Sequence, residues 1–256
     1  MEIVVTNDDG IEAPGIFALA RAVKDLGNTT VIAPDKNWSA SGHQKMLGRP
    51  IRVSPHRFMD DIPAYKSDGG PSDCAALACL NFLEKKPDLI VSGINPTANL
   101  GLDMTYSGTV TSALEATVWG IKGIAFSLNA EHIIPEEIDF SAAEKIIPMV
   151  VEMVMTHDLP PFTILNVNIP YLPLNEIKGY KVTKGGERIY RDQLIRCIDP
   201  FGKPYYWFGG PPPESGKDPG TDSGELANSF ISINPVKLDM TAYELIESVN
   251  DWNWKL

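Results

Sequence analysis

Met1-Glu-Ile-Val-Val-Thr-Asn-Asp-Asp-Gly-Ile-Glu12 opens the chain, and its order of residue types decides the fold. Ile3, Val4 and Val5 form an apolar, β-branched run that predicts a buried strand. Thr6-Asn7-Asp8-Asp9-Gly10 follows as a polar turn closed by glycine. Pro14 then opens a stretch with apolar residues at Ile16, Leu19, Ala20, Val23 and Leu26, the spacing of one helix face. Strand, acidic turn and helix begin a βαβ unit. In open α/β sheets, ligands bind beyond the carboxyl ends of the strands, where this turn lies. Two adjacent carboxylates repel each other. A hard divalent cation such as Mg²⁺, Mn²⁺ or Ca²⁺ offsets that repulsion with oxygen ligands. A solvated turn in which Asp8 or Asp9 caps the helix is the other reading open at this point.

The same alternation continues downstream. Thr29 to Ala33 reads as a second strand after a stop at Gly27, and Pro34-Asp35 closes it. The loop Lys36-Asn37-Trp38-Ser39-Ala40-Ser41-Gly42-His43 then lies at the same sheet edge, so Ser39 and His43 can approach the aspartates. A hydrogen-bonded histidine without catalytic duty is an equal reading of His43. Short strands are expected over Ile51 to Val53 and Ala64 to Ser67, beside the main sheet, and a buried helix over Cys74 to Leu83. Leu89 to Gly93 reads as an interior strand, followed by a polar loop carrying Asn95 and Asn99. Ser107-Gly108-Thr109 starts a helix that runs to about Trp119. Free N–H groups, two hydroxyls and the helix dipole suit a phosphate there, although an ordinary N-cap has the same residues. A strand over Gly123 to Leu128, a helix over Phe140 to Met155 and a strand over Thr163 to Ile169 complete the pattern. It is that of an α/β protein with a doubly wound, mostly parallel sheet.

The character changes after Pro170. Gly179 to Thr183 reads as a strand, and Arg188 to Ile198 with Lys203 to Phe208 as a long hairpin bearing Tyr205-Tyr-Trp-Phe208. Residues 209–224 read as a Pro/Gly loop, Phe230 to Ile233 as a strand, and Ala242 to Val249 as a terminal helix. We expect one domain over 1–256, with a Rossmann-like core at 1–170 and an extension at 171–256.

Composition narrows the function classes. A net charge of −11 without a basic cluster argues against nucleic-acid and anionic-membrane partners. Cys74, Cys79 and Cys197 lack a zinc-like spacing and read as small buried hydrophobes. With no signal peptide and no long apolar span, a cytoplasmic location is expected. The phosphate loop of NTPases, the H-E-x-x-H zinc motif and the dinucleotide G-x-G-x-x-G are all missing. Oxygen ligands beside an anion cradle suggest metal-assisted attack on a phosphate ester.

Val5-Thr-Asn-Asp-Asp-Gly-Ile11, Ala33-Pro-Asp-Lys36, Ser39-Ala-Ser-Gly-His43, Val91-Ser-Gly-Ile-Asn95 and Tyr106-Ser-Gly-Thr-Val110 closely resemble the motifs of the SurE (survival protein E) family. The resemblance continues through Pro71-Ser-Asp-Cys74, Asn166-Val-Asn-Ile-Pro170, Asp199-Pro200, Pro204-Tyr-Tyr-Trp207 and Gly220-Thr-Asp222. It implies a metal-dependent 5′(3′)-nucleotidase acting on nucleoside monophosphates, sometimes also trimming short polyphosphate. It further implies one divalent ion per subunit, Mg²⁺ or Mn²⁺, held by Asp8, Asp9, Ser39 and Asn95. Asn99, Ser107, Gly108 and Thr109 would hold the phosphate, with Asp8, Asp9, Asn99 and His43 as the catalytic set. The family's C-terminal hairpin reaches a neighbouring subunit, which implies a homodimer or homotetramer. The rival from another class is a nucleotide-binding stress regulator without catalysis. One departure stands out: family members usually carry Asn-x-Gly-x-Asn, and here the loop is Asn95-Pro-Thr-Ala-Asn99. Proline and the missing glycine both restrict that loop, while both asparagines are kept.

Overall fold

In the computed structural model, which describes residues 1–59, 61–211 and 213–254, the predicted alternation of strands and helices is realised. The elements are β1 (Glu2–Thr6), α1 (Pro14–Val23), β2 (Asn28–Pro34), β3 (Val53–Pro55), β4 (Ala64–Ser67), α2 (Pro71–Cys79) and β5 (Leu89–Asn95). They continue with α3 (Gly108–Val118), β6 (Lys122–Asn129), α4 (Ser141–Thr156), β7 (Thr163–Pro170) and β8 (Tyr180–Val182). The rest are β9 (Arg188–Ile189), β10 (Gln193–Ile198), β11 (Pro204–Gly209), β12 (Glu214–Ser215), α5 (Asp222–Ala227), β13 (Ile231–Lys237) and α6 (Ile246–Asn250).

Nine strands make the central sheet, in the order β3-β4-β2-β1-β5-β6-β7-β13-β8. All neighbours are parallel except β3 on β4 and β13 on β7. The chain moves outward from β1 through β2 to β4, then returns to lay β5 on the other side of β1. That reversal makes the gap between the carboxyl ends of β1 and β5 the topological switch point, where such sheets bind ligands.

Period-two alternation along β1 explains the layering. Ile3 and Val5 face a core completed by α1 and α4, with Ile16, Leu19, Ile147 and Val151 among its members. Val4 faces the opposite side, with Cys74, Ala75 and Ala78 of α2 and Ala116 of α3. Burial pushes the Cys74 thiol up and the Cys79 thiol up to about 11, as befits cysteines that serve as core hydrophobes. No helix among the described residues is long and apolar enough to cross a membrane.

Several boundaries differ from the expectation. β3 and β4 extend the main sheet rather than pairing beside it. The helix after Gly70 starts at Pro71 and ends at Cys79, because Asn81 enters the left-handed region at φ +64°. The stretch expected as one loop over 209–224 contains β12, which pairs with β9, and the start of α5; Pro212 within it lies outside the described residues. The terminal helix shortens to a 3₁₀ turn at Tyr243–Leu245 followed by α6, and the last two residues of the extension also lie outside the described set. The hairpin is present as the separate two-stranded sheet β10-β11, with Gln193 opposite Gly209 and Ile198 opposite Pro204. Beyond residue 170 the chain also returns to the main sheet, through β13 and β8.

Candidate active site

β1 ends at Thr6, which lies beside Ser92 of β5. Asp8 and Asn95 therefore stand two and three residues past neighbouring points, on either side of the switch point. Asn7 shapes the turn that delivers the aspartates: its side chain donates to Gly10 O at 2.8 Å and accepts from Gly10 N at 3.2 Å. This Asx-type turn is what the polar run before Gly10 encodes.

Asp8 is buried, and its partners come from the start of α3. Thr109 Oγ1 donates to Asp8 Oδ1 at 2.5 Å. Gly108 lies so close that a Cβ built on it would sit 2.6 Å from Asp8 Cβ and 2.9 Å from Asp8 Oδ2. Glycine at that position is what lets the carboxylate reach the helix N-terminus. Burial pushes the Asp8 carboxyl up, while the Thr109 hydroxyl and the N–H groups of Thr109 and Gly108 draw it down. Asp9 is pushed up to about 7, first by burial and then by the charge of Asp8. Among the described residues, neither carboxylate is paired with a Lys, Arg or His side chain.

The loop after β2 closes onto these aspartates. Trp38 N–H donates to Asp8 O at 2.7 Å. Asn37 bridges the two segments, since its Nδ2 donates to Asp9 Oδ1 at 3.4 Å and its Oδ1 accepts from Ser39 N at 2.7 Å. Ser39 is thus brought beside the aspartates, with its side chain exposed. Asn37 stands outside the residues that the sequence motifs mark for the site. Its signal was an asparagine two residues before a serine, the spacing of an Asx turn.

In the loop after β5, Asn95 Nδ2 donates to Thr97 O, and its Oδ1 has no hydrogen-bond partner among the described residues. Asn99 is buried and pinned by residues of β6 and β7. Its N–H donates to Asn168 Oδ1 at 2.8 Å, its carbonyl accepts from Asn166 and Asn168, and its Nδ2 donates to Ser127 Oγ at 2.8 Å. Asn166 and Asn168 sit in the quoted Asn-Val-Asn-Ile-Pro motif, but only the register of β7 shows that both point at this loop. Ser107 is the N-cap of α3, its Oγ accepting from Val110 N at 3.2 Å. Both hydroxyls of the Ser-Gly-Thr start are therefore engaged, one on the helix and one on Asp8.

His43 is not brought into this cluster by any hydrogen bond. Its Nε2 lies 2.8 Å from Glu115 Oε2, two turns along α3 from the helix start. Glu115 also accepts from Lys45 Nζ at 2.7 Å and Trp119 Nε1 at 2.9 Å. Burial alone would raise this carboxyl, but those three donors and the Lys45 charge hold it down at about 2. No sequence pattern singles out Glu115, because its partners His43 and Lys45 come from a loop 72 and 70 residues away, and Trp119 alone is local.

A divalent cation fits this donor set. Two adjacent carboxylates that burial pushes up, Asp9 also through the charge of Asp8, suit a hard cation when they have no basic partner among the described residues. Ser39 and Asn95, in the loops after β2 and β5, carry neutral oxygens of the kind such cations accept. Among the described residues, no three His, Cys, Asp or Glu side chains come together as a metal-holding group. A cation here would rest on two carboxylates and neutral oxygens, which argues against zinc-like ligation.

A family model described as "Survival protein SurE" matches residues 3–192. A relative from Chloroflexus aggregans, named 5′-nucleotidase SurE, is 43% identical over the full length of both chains. A relative of the same name from Aquifex aeolicus is 42% identical over 96% of each chain. The crystal structure of the SurE protein from Aquifex aeolicus superimposes with a TM-score of 0.82 at 40% identity, covering 98% of both chains.

Proposed function

The chain belongs to the survival protein SurE family, and from that premise we propose that it hydrolyses nucleoside 5′- and 3′-monophosphates to nucleoside and phosphate. It is an enzyme, a 5′-nucleotidase of the phosphoric monoester hydrolase class. Short polyphosphate is a further proposed substrate. The observation that carries this reading is the meeting of Asp8 with the start of α3, beside Asp9, at the switch point. Nothing in the site or in the named relatives favours a non-catalytic nucleotide-binding regulator.

Asp8, Asp9, Ser39 and Asn95 would hold one divalent ion per subunit, Mg²⁺ or Mn²⁺. Such an ion would supply Lewis-acid chemistry there, polarising a phosphoryl oxygen and acidifying a water. Thr109 and the N–H groups at the start of α3 keep Asp8 oriented. Asp8 or Asp9 accepts the proton of the attacking water. Asn99, already fixed by β6 and β7, and the Ser107-to-Thr109 segment stabilise charge on the phosphoryl oxygens. His43, whose Nε2 is held by Glu115, is the group proposed to protonate the leaving oxygen. A phosphate-release assay on AMP with Mg²⁺ or Mn²⁺ tests the reading; no release with either ion overturns it.

The aspartate pair also sets a pH dependence. Burial and the charge of Asp8 push Asp9 up to about 7, well above an unfolded aspartate. Between about pH 4 and 7 the folded state therefore binds more protons than the unfolded state, so metal-free stability falls as pH rises through that window. Cation binding needs the deprotonated carboxylates and reverses the trend. Thermal unfolding in EDTA is expected to lose this contribution between pH 5 and pH 8. Added Mg²⁺ should then raise the unfolding temperature more at pH 8 than at pH 5.

The extension supplies the proposed route to a homodimer or homotetramer. Phe201 at the tip of the hairpin and Phe208 on β11 are 88% and 89% exposed, and Trp207 and Leu194 are also exposed. An apolar arm of this kind is rarely left in water. Deleting residues 193–209 should lower the mass measured by light scattering, whereas an unchanged mass would show that the arm serves its own subunit. With no nucleic-acid partner and no membrane partner proposed, the enzyme is read as cytoplasmic.

A further inference from the structure

Gly220-Thr-Asp222 belongs to the motifs of the family resemblance, yet no step of the reaction above uses it. The structure makes Asp222 a bracket between two distant segments. Its side chain is fully buried. Oδ2 accepts from Gly101 N at 2.8 Å, while Oδ1 accepts from Gly186 N at 2.7 Å and from Ser223 N at 2.8 Å. A buried carboxylate is tolerated only when its oxygens are fully hydrogen-bonded. Here those bonds join the loop after β5 to the extension.

The two backbones are pressed together at this point. Gly101 takes φ +49°, and a Cβ there would lie 2.2 Å from Gly186 O. Two residues further on, Asp103 is gripped by the same stretch of the extension. Arg188 Nε donates to Asp103 Oδ2 at 2.7 Å, and Tyr190 donates its hydroxyl to the same carboxylate. The 184–186 stretch and the motif also hold each other, through Lys184 N–H on Gly220 O and Asp222 N–H on Lys184 O. Asn99, by contrast, is held from β6 and β7. The chain thus passes from the grip of the sheet to the grip of Asp222 within two residues, and then runs through a 3₁₀ turn to Ser107.

We propose that Asp222 is a positioning residue for the phosphate-holding loop: it fixes the segment from Asn99 to Ser107 against the extension without touching substrate. The proposal rests on the nucleotidase reading for what that loop holds. Through β9 the same bracket connects the base of the hairpin to the site.

The test uses the full chain. Asp222→Asn keeps the shape but turns one acceptor oxygen into a donor facing N–H groups. Three quantities are measured: the dissociation constant of inorganic phosphate with Mg²⁺ by calorimetry, backbone amide exchange over 99–107 without metal, and KM against kcat on AMP. Asp222→Asn should weaken phosphate roughly tenfold, speed exchange in that segment, and raise KM more than it lowers kcat. Thr183→Val removes the buried Thr183–Ser232 hydroxyl pair of the extension, 2.8 Å long, without touching the loop. It should lower the unfolding temperature and leave phosphate affinity and exchange over 99–107 unchanged. A folded Asp222→Asn variant with parental phosphate affinity overturns the proposal, and so does an equal loss in Thr183→Val. If Asp222→Asn does not fold, Arg188→Met, which releases Asp103, carries the same expectation, and unchanged affinity and exchange there overturn it. A parent chain that binds phosphate but releases none from AMP defeats the nucleotidase reading alone, because binding and exchange still judge Asp222. A parent chain that does not bind phosphate defeats both.

Discussion

Asp9→Asn and Asp8→Asn are each expected to slow phosphate release from AMP roughly a thousandfold or more, since a bound cation's share of transition-state stabilisation is several kcal/mol. Each change removes one negative charge and one hard anionic ligand. The two variants should differ in stability. Asp9 is raised by burial and by the charge of Asp8, so an amide there relieves repulsion in the metal-free chain. Unfolding of Asp9→Asn in EDTA at pH 8 should therefore occur at or above the parent's temperature. Asp8 sits tighter. Thr109 donates to its Oδ1, and its Oδ2 lies against Gly108. An amide at position 8 can keep the Thr109 bond only by turning its NH₂ toward the N–H groups of Gly108 and Thr109. Asp8→Asn should accordingly unfold at a lower temperature than Asp9→Asn. Parental turnover in either variant at saturating Mg²⁺ would remove that residue from the proposed metal site.

Gly15→Ala carries the second large effect, and its sign runs against helix propensity. Replacing glycine by alanine in an exposed helix stabilises by about 1 kcal/mol. At Gly15 of α1, however, the added Cβ would lie 2.1 Å from Ile94 O, a backbone atom of β5 that cannot move cheaply. We expect a loss of about 3 kcal/mol, the upper part of the usual overpacking range. For a chain of this size that corresponds to roughly 6–12 °C in unfolding temperature. Ile94 precedes Asn95, so the displacement should also weaken Mg²⁺ binding. Gly48→Ala, where a Cβ meets nothing within 4 Å, is the control and should change neither quantity. If Gly15→Ala unfolds with the control, α1 and β5 do not approach as closely as described.

These two experiments probe different sources of information. The first twelve residues by themselves determine a buried strand, an acidic turn and a helix, because β-branched runs, Asx turns and proline at a helix start are local preferences. The repeated alternation along 1–170 likewise determines a parallel α/β sheet, since parallel strands need crossover helices. Position alone places Asp8, Asp9, Ser39, Asn95, Asn99 and the Ser107-to-Thr109 start at one edge of such a sheet, since each follows a strand or begins a helix; the roles proposed for them come from the family resemblance.

What these residues bond to is decided by tertiary contacts. Thr109 reads from the sequence as a phosphate donor, and the fold adds that its hydroxyl donates to Asp8, 101 positions earlier in the chain. His43 can approach the aspartates by its place in the chain or serve as a hydrogen-bonded histidine, and in the fold Glu115 holds it two turns along α3. Asn37 joins Asp9 to Ser39, while Asn166 and Asn168 clamp Asn99 across 67 and 69 positions. Asp222 reaches Gly101 across 121. Such partners leave no periodicity in the sequence, because a hydrogen bond between distant segments depends on sheet order and strand register rather than on spacing along the chain. The same holds for Gly15 and Gly108, whose missing side chains are required only by the backbone or carboxylate that the fold presses against them.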